Sequence, residues 1–492
     1  MMHISRFQRG LSAMLSLCLL AACGSAGTGG ASPSPSPSPT PTGASVAVWA
    51  SSIDQSRKLA PVNAVAIGAA GPVQAGEVLI DPASQGQEIT GFGAAMTDAS
   101  AHLFQNVLTR AERDALFAEL FGSQGLGLSF VRVPIGASDF SSEHYSFADM
   151  PAGQSDPQLT SFSMAKAQTA QIPALQAVRA VNPNLTLMAS PWSAPGWMKT
   201  TDSLIKGSLK PEYYGAYARY FVRYLDGMDA AGLPVRYVSM QNEPAFEPEN
   251  YPGMRVSAAE RATFFAQHLG PALAARSNRV GILDWDHNWD HPEEPLGVLS
   301  NAAAAPFVEG VAWHCYGGDS KVMAEVKAAH PANDLFFTEC SGGDWAPKWG
   351  DTLEWMTDNL IIATVRAGGK GSVLWNLALD ETAGPHLGGC GNCRGVVTID
   401  SRTRAVTRNV EYYVLGQVSR FVRPGARAIS SSGGPAGLKF VAFRNVDGSL
   451  VLLTHNATRA DLPITVNTGT SRFSATMPGG EVMTFVWRQP TG

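Results

Sequence analysis

The chain has 492 residues, of which 45% are hydrophobic and 16% charged, so it can build a large core. Its 36 basic and 41 acidic residues give a net charge of −5, and the sequence contains no basic run. This charge balance disfavours nucleic acid as a ligand and a strongly charged substrate. Beyond the amino-terminal leader, no apolar run reaches the roughly 18 residues that a membrane-spanning helix needs.

The first 22 residues have the features of an export signal. Two arginines precede an apolar stretch over 11–20 that is too short to span a bilayer. The Leu-Ala-Ala-Cys sequence ending at Cys23 resembles a bacterial lipobox, in which the cysteine is lipidated; an ordinary secretory signal is the alternative. Residues 23–44 are almost all Gly, Ala, Ser, Thr and Pro, as in an extended linker. We therefore expect an exported lipoprotein at the bacterial cell surface, which contacts the membrane only through a lipid on Cys23.

The cysteines of the folded part form two groups. Cys315 and Cys340 each follow an apolar run, where a small buried thiol is expected. Cys390 and Cys393 enclose Gly-Asn in a Gly-rich loop. In an exported protein a local disulfide between them is favoured over half a zinc site, because no second ligand pair accompanies them. We expect no metal and no cofactor.

Between residues 83 and 412, short apolar runs alternate with longer amphipathic segments. The predicted strands, each rich in β-branched or bulky apolar residues, are 91–95, 128–134, 185–190, 237–241, 280–284, 311–314, 335–338 and 372–376. The predicted helices between them are 111–121, 164–181, 211–231, 258–275, 295–303, 321–330 and 352–367. This alternation is typical of an α/β protein with a (β/α)8 TIM barrel. The alternative, a doubly wound sheet, needs a Gly-rich phosphate-binding turn that Gly91-Phe92-Gly93 does not supply.

The two ends of the folded part have the shorter period of β structure. Residues 413–492 contain predicted strands at 438–444, 449–456, 462–467 and 482–487, separated by turns such as Asp447-Gly448. Residues 45–82 contain strands near 46–51 and 78–80. We expect an all-β sandwich side domain that is formed by the carboxyl-terminal segment together with these amino-terminal strands.

Chemistry is expected where the barrel strands end, because their loops form one bowl there. Two carboxylic acids stand at such ends: Glu243 after the fourth strand and Glu339 after the seventh. Either residue alone would be an ordinary surface or structural carboxylate. Together they fit glycosidic bond cleavage, in which one carboxyl group donates a proton to the leaving oxygen while the other attacks the anomeric carbon.

Six stretches occur in barrel order: 91–99 (GFGAAMTDA), 131–134 (VRVP), 189–192 (ASPW), 241–244 (QNEP), 337–340 (FTEC) and 375–380 (WNLALD). As an ordered set they resemble glycoside hydrolase family 30, which includes glucosylceramidases and endo-β-1,6-glucanases. The resemblance implies a retaining enzyme that cleaves a β-linked glucan or glucoside, and within the family a β-xylan or β-fucoside is the alternative substrate. A non-catalytic carbohydrate-binding lipoprotein and a transporter's binding protein are alternatives outside it. We expect a monomer.

The family's roles carry over at matching positions. Glu243 resembles the acid/base and Glu339 the nucleophile. Arg132 resembles the arginine that bonds the nucleophile and keeps it ionised, and Asn242 the residue that bonds the sugar 2-hydroxyl. Four further positions match residues that hold the substrate: Asp139, Trp192, Tyr316 and Trp375.

Two segments are less clear from the pattern. Residues 384–386 read Gly-Pro-His where glucosylceramidases have Gly-Pro-Asn, and the loop that follows, over 387–393, is expected to line the cleft rim. That departure speaks against glucosylceramide as the substrate. Residues 284–291 are rich in Asp, His and Trp but lack metal-ligand spacing, so we expect a Trp or Asp there to face the substrate. His314 is expected to be a hydrogen-bonded structural residue.

Overall fold

A computed structural model describes residues 45–489 of the chain. The export signal and linker expected at 1–44, including Cys23, lie outside the described residues. Eight parallel strands form the central sheet, in the order expected of a barrel. Their bounds are Gly91–Ala95, Phe130–Pro134, Thr186–Ser190, Tyr237–Val238, Gly281–Asn288, Val308–His314, Asp334–Glu339 and Gly369–Asn376. We refer to them as the first to the eighth barrel strand.

The sheet closes between its first and second strands. The Ser129 backbone N–H donates to Phe92 O at 3.0 Å, and the Met96 N–H donates to Arg132 O at 2.9 Å. The interior is filled by one buried apolar side chain from each of seven strands: Phe130, Met188, Tyr237, Leu283, Ala312, Phe336 and Val373. The barrel is therefore a packed core and not a pore, and the (β/α)8 prediction is confirmed.

Helices follow the barrel strands and cover the outside of the sheet. They are Arg110–Phe121, Gln171–Val181, Tyr214–Ala230, Ala258–Phe264 with Gly270–Ala274, Glu293–Leu299, Val322–Ala329, Trp349–Met356 with Thr364–Arg366, and Val410–Ser419. Two begin with a capping box, Thr109 with Glu112 and Ser257 with Glu260, in which each side chain satisfies a backbone N–H of the other. Among residues 45–489, no helix combines the length and the hydropathy needed to cross a bilayer.

The start of one helix and the start of the all-β module differ from the predictions. The helix expected from residue 164 begins only at Gln171, because 164–170 form turns and Pro173 suits the first helical turn. The all-β module was expected from residue 413, yet Val410–Ser419 is a helix with nine buried positions that belongs to the barrel. The apolar residues of this helix do not alternate with a period of two. The predicted start of the all-β module, which was inferred from the strands that follow, therefore lies too early in the chain.

A second sheet of ten strands forms the side domain. Its strands are Ser45–Ser51, Ala60–Ala66, Gly68–Ala69, Val78–Glu88, Arg427–Gly433, Leu438–Arg444, Leu450–Asn456, Leu462–Asn467, Ser471–Met477 and Val482–Trp487. Ser45–Ser51 pairs antiparallel with Val482–Trp487, and Val78–Glu88 pairs with Arg427–Gly433. The prediction that the amino-terminal strands join the carboxyl-terminal module is confirmed.

Candidate active site

Glu243 and Glu339 meet above the packed barrel interior. Glu339 is the last residue of the seventh strand, and Glu243 lies in the loop after the fourth. One oxygen of each carboxyl group and one ring nitrogen of His314 all lie within 4.8 Å of one another. Retaining glycosidases hold their carboxyl groups about 5–5.5 Å apart and inverting ones about 6.5–9.5 Å apart. The close approach of Glu243 and Glu339 favours the retaining arrangement.

Arg132, fully buried at the second strand, links Glu339 to Asn242. Its Nη1 donates to Glu339 Oε2 at 2.5 Å, and its Nη2 donates to Asn242 Oδ1 at 2.6 Å. Because the guanidinium occupies Asn242 Oδ1, the amide nitrogen of Asn242 is left to face a sugar hydroxyl in the cavity that Asn242 lines. Arg132 therefore orients both the expected nucleophile and the expected 2-hydroxyl contact.

Asp286 anchors this arginine from below. Its Oδ2 accepts from Arg132 Nη2 at 2.8 Å and from the Ser239 hydroxyl at 2.6 Å. Its Oδ1 accepts from the Thr338 hydroxyl at 2.8 Å and bonds His314 Nε2 at 3.0 Å. Burial would raise the pKa of Asp286, but the Arg132 charge and these donors hold it well below the usual range. Asp286 is a permanent anion beneath the site.

The expectation of a substrate-facing Trp or Asp among residues 284–291 is wrong, since none of them lines the cavity that holds Glu243 and Glu339. Trp285 is buried and donates its ring N–H to Asn288 O at 2.8 Å, and Asp284 is buried against Arg261. A β-bulge is the reason: Ala312 pairs with Trp285 but Trp313 with His287, so Asp286 has no partner. Trp285 and Asp286 have φ of +73° and +53°, and this bend turns Asp286 inward.

His314 and Tyr316 complete the contacts to the two carboxyl groups. His314 Nδ1 lies 3.2 Å from Glu243 Oε1, so His314 is held between Glu243 and Asp286, in agreement with the structural role expected for it. The Tyr316 hydroxyl donates to Glu339 Oε1 at 3.1 Å. Burial of this hydroxyl and the charge of Glu339 raise the pKa of Tyr316 well above its ordinary value, so it stays a donor.

The two carboxyl groups and His314 titrate together. Burial raises the pKa of Glu339, although the charges of His314 and Arg132 oppose this. Burial acts on Glu243 in the same direction, but the hydrogen bond from His314 and the charge of His287 outweigh it and lower its pKa. Burial alone would lower the pKa of His314, yet the Glu339 charge and the bonds to Asp286 and Glu243 raise it to about 9. These directions place the proton on His314 at neutral pH, with its Nδ1 3.2 Å from an ionised Glu243.

Aromatic rings enclose one end of the site. Trp192 and Trp375 stack with their ring centroids 4.9 Å apart, and the Arg132 guanidinium lies 4.8 Å from the Trp192 ring centroid. Asp139 is buried beside them, and burial together with the Glu339 charge raises its pKa well above the usual range. A protonated or hydrogen-bonded carboxyl group next to flat rings suits a sugar and its hydroxyls.

A cavity of about 530 Å³ contains both carboxylates. Five side chains expected to hold the substrate line this cavity: Asp139, Trp192, Asn242, Tyr316 and Trp375. Arg132 does not line the cavity and lies beneath it. The loop after the eighth strand contributes Gly389, Cys390 and Cys393, so the prediction that this loop lines the rim is confirmed.

Loop residues that the sequence reading left out also line this cavity. They are Phe246, Pro248, Glu249, Asn250, Tyr251 and Trp345. Their position just after the fourth and seventh strands was the available signal, since loops that follow barrel strands form the bowl.

Two disulfides stand at the mouth of the barrel. Cys390 and Cys393 are joined to each other, within the loop that lines the rim. The expectation of buried thiols at Cys315 and Cys340 is wrong, because these residues form a second disulfide with Cα atoms 5.4 Å apart. Each follows the end of one of two neighbouring parallel strands, the sixth and the seventh, which brings the two thiols side by side.

Comparisons with known proteins agree with this geometry. Residues 89–422 match the model of the glycosyl hydrolase family 30 TIM-barrel domain, and residues 425–485 match that family's beta sandwich domain. An endo-1,6-beta-D-glucanase of Aspergillus fumigatus is 33% identical over 90% of this chain and 94% of that protein. The lysosomal acid glucosylceramidase of Mus musculus is 30% identical over 83% of each chain. A solved endo-beta1,6-glucanase superposes with a TM-score of 0.83 at 30% identity, covering 91% of this chain and all of that one.

Proposed function

The chain belongs to glycosyl hydrolase family 30, and from that premise we propose that it hydrolyses the β-glucosidic bonds of a β-1,6-linked glucan with retention of configuration. The observation that carries the proposal is the pair Glu243 and Glu339, whose closest oxygens fall within 4.8 Å at the ends of the fourth and seventh strands. Such a pair supports direct attack by a carboxylate and not by water.

Glu339 is proposed as the nucleophile. Its Oε2 and Oε1 accept from Arg132 and Tyr316, which hold the carboxylate in one orientation and favour its ionised form. Attack on the anomeric carbon forms a glycosyl–Glu339 ester while the bond to the leaving oxygen breaks.

Glu243 is proposed as the acid and then the base. It delivers to the leaving oxygen a proton that it takes from His314, whose Nδ1 lies 3.2 Å from Glu243 Oε1. In the second step Glu243 takes a proton from water, whose oxygen attacks the anomeric carbon and releases Glu339. Two inversions give net retention.

β-1,6-Glucan is favoured over glucosylceramide by two observations. Two of the three similar proteins described above are named as β-1,6-glucanases, and both cover more of this chain than the glucosylceramidase does. The loop over 387–393, which departs from the glucosylceramidase pattern, lines the cavity. Glucosylceramide is the second candidate, because the mouse enzyme is also 30% identical.

The test is a substrate screen with product analysis. We expect activity on pustulan-type β-1,6-glucan, with the β anomer appearing first in proton NMR of early products. Release of oligosaccharides would show internal cleavage, and glucose alone would show cleavage from chain ends. Activity confined to glucosylceramide or β-xylan would overturn the substrate, and an α anomer appearing first would overturn retention.

We also propose that Cys23 carries the lipid that anchors the enzyme at the cell surface and that the enzyme is a monomer. The lipobox-like sequence before Cys23 and the linker composition after it support the anchor. Cys23→Ser should release active protein into the medium, and light scattering should give the mass of one chain; membrane retention or a dimer mass would contradict these two points respectively.

A further inference from the structure

A second hollow opens from the catalytic cavity on the side of Tyr316 and Trp345. It measures about 480 Å³, and the two residues line both spaces. The Cys315–Cys340 disulfide forms part of its lining, and Trp355 stands in the far wall. The two hollows therefore adjoin at Tyr316 and Trp345.

A third hollow of about 310 Å³ adjoins the second. Asp351 and Trp355 line both, and the third is otherwise polar, with Glu354, Asp358, Asn359 and His455 in its lining. Shared lining residues thus place three hollows side by side, from the two carboxylates to the junction with the side domain. We call the second and third hollows together the Trp345–Trp355 trough.

The trough carries exposed indole rings next to hydrogen-bonding groups. Trp345 is 55% exposed and Trp355 is 43% exposed, whereas most large aromatic side chains of the barrel are buried. A pyranose ring offers C–H faces that stack on indole and hydroxyls that carboxylates and amides accept. An acyl chain would fit the second hollow but would meet three carboxyl groups, Asp351, Glu354 and Asp358, in the third.

The opposite end of the catalytic cavity is closed. The Leu387 N–H donates to Asp139 O at 2.9 Å, and a Cβ on Gly389 would lie 2.4 Å from Asp139 Cβ, so this loop packs directly on Asp139. Trp192 and Trp375 are buried there. The closed end suits the sugar that Glu339 takes up, and the part of the chain that leaves must extend through the open side.

The position of Trp345 depends on Gly343. A Cβ at Gly343 would lie 2.1 Å from the Trp345 ring, so the indole lies directly across this glycine. Gly343 itself pairs with Cys393 in a short antiparallel ribbon. The ring is therefore held over the border between the cavity and the trough by the backbone of two rim loops.

We propose that the Trp345–Trp355 trough binds the leaving-group side of a β-glucan chain, so that the enzyme acts better on long chains than on short ones. The proposal rests on the proposed β-glucan hydrolysis and names the part of the protein that selects a polymer. Trp355 touches none of the catalytic groups described above, which makes it the residue of choice for a test.

The experiment compares Trp355→Ala with the matched variant Trp355→Phe on gentio-oligosaccharides of two to six units. For Trp355→Ala we expect the ratio of kcat/KM for the longest to the shortest substrate to fall about tenfold, the loss of one stacking contact. Trp355→Phe should keep most of the ratio. Val446→Ala, at an exposed apolar residue of the side domain, should leave it unchanged. An unchanged ratio in Trp355→Ala would overturn the proposal.

A binding arm separates this proposal from the proposed function. Calorimetry measures the affinity of the Glu339→Gln protein for soluble β-1,6-glucan, with and without Trp355→Ala. Because Glu339→Gln prevents turnover, the measurement reports binding alone. Weaker glucan binding with Trp355→Ala supports the proposed role of the trough, even if the wild-type enzyme cleaves another glucan faster. Equal binding with and without Trp355→Ala contradicts that role. If Trp355→Ala instead impairs only hydrolysis of glucosylceramide in vesicles, the occupant is a lipid and the proposal fails.

Discussion

The floor and the rim of the catalytic cavity are held in different ways. On the floor, Arg132, Asp286 and His314 are fully buried and joined by hydrogen bonds across the barrel strands. At the rim, Trp345 is about half exposed, and the Cys390–Cys393 disulfide and a two-residue ribbon hold the loops. A rigid floor fixes the reaction, while rim loops adapt to a substrate. Changes on the floor should lower turnover of every substrate, and changes at the rim should discriminate among substrates.

The largest effect is expected at the nucleophile. Glu339→Gln removes the group that forms the ester, so kcat should fall by about 10⁴-fold or more on every substrate. Initial rates on glucan and on aryl β-glucosides check this, with circular dichroism to confirm the fold. A variant that keeps its rate on any of these substrates would place the nucleophile elsewhere.

Glu243→Gln should be selective in a way that Glu339→Gln is not. Loss of proton donation should cost about 10²- to 10⁴-fold on glucan but much less on aryl glucosides with acidic leaving groups, which depart without a proton. Azide should then restore part of the turnover by replacing water in the second step. An equal loss on all leaving groups, with no azide rescue, would remove Glu243 from the acid/base role.

Asp286→Asn tests the buried anchor beneath the floor. Loss of its charge frees Arg132 and lowers the pKa of His314, so we expect kcat to fall by about 10²-fold and the alkaline limb of the pH profile to move to lower pH. Asp284→Asn is the matched control, since Asp284 lies on the same strand, is also buried against an arginine, and touches no catalytic group. A similar shift of the pH profile in both variants would reduce Asp286 to a structural role.

We expect the protonation of His314 to contribute to the pH dependence of the free energy of unfolding. Its pKa is raised to about 9, so its contribution to folding is complete below the unfolded pKa of about 6.5 and is lost as the pH rises through 9. Lys199, whose pKa burial lowers to about 7, gives the opposite slope above pH 7. We therefore expect the Tm difference between wild type and His314→Gln to shrink between pH 6.5 and 9.5. A constant difference would mean that His314 is neutral in the folded protein.

The floor and the rim also differ in how much of their structure the sequence predicts. Glu243, Glu339 and Arg132 could be placed together because parallel barrel strands bring their carboxyl ends to one face, and apolar runs mark those strands. Asp286 could not be given its anchoring role, since it depends on a bulge that leaves no trace in the pattern of apolar residues. Register within a strand is a property of the pairing and not of the strand's own sequence.

The rim was harder to predict, although part of it was within reach. Cys315 and Cys340 follow neighbouring strands, so the predicted topology itself would have paired them. Trp345 lies in a loop whose path depends on Gly343 and on a ribbon with the next loop. No local pattern in the sequence encodes that long-range contact.

The smallest effect is expected from the outer disulfide, and it bears most directly on the rim. Cys390→Ser with Cys393→Ser loosens the loop that pairs with Gly343, whose Asp344 neighbour donates its N–H to Asn392 O at 3.0 Å. We expect KM for long glucan to rise about threefold through less restricted loop conformations. Turnover of aryl glucosides should be preserved, because no floor contact changes.

The inner disulfide is the matched control for that experiment. Cys315→Ser with Cys340→Ser removes a link between the residues adjacent to Tyr316 and Glu339. Here kcat should fall on aryl glucosides and on glucan alike, because the donor to the nucleophile loses its support. The distinction between floor and rim fails if loss of the Cys390–Cys393 disulfide also lowers kcat on aryl glucosides. It also fails if loss of the Cys315–Cys340 disulfide alters only KM for glucan. The loops would in that case have to be counted as part of the catalytic machinery.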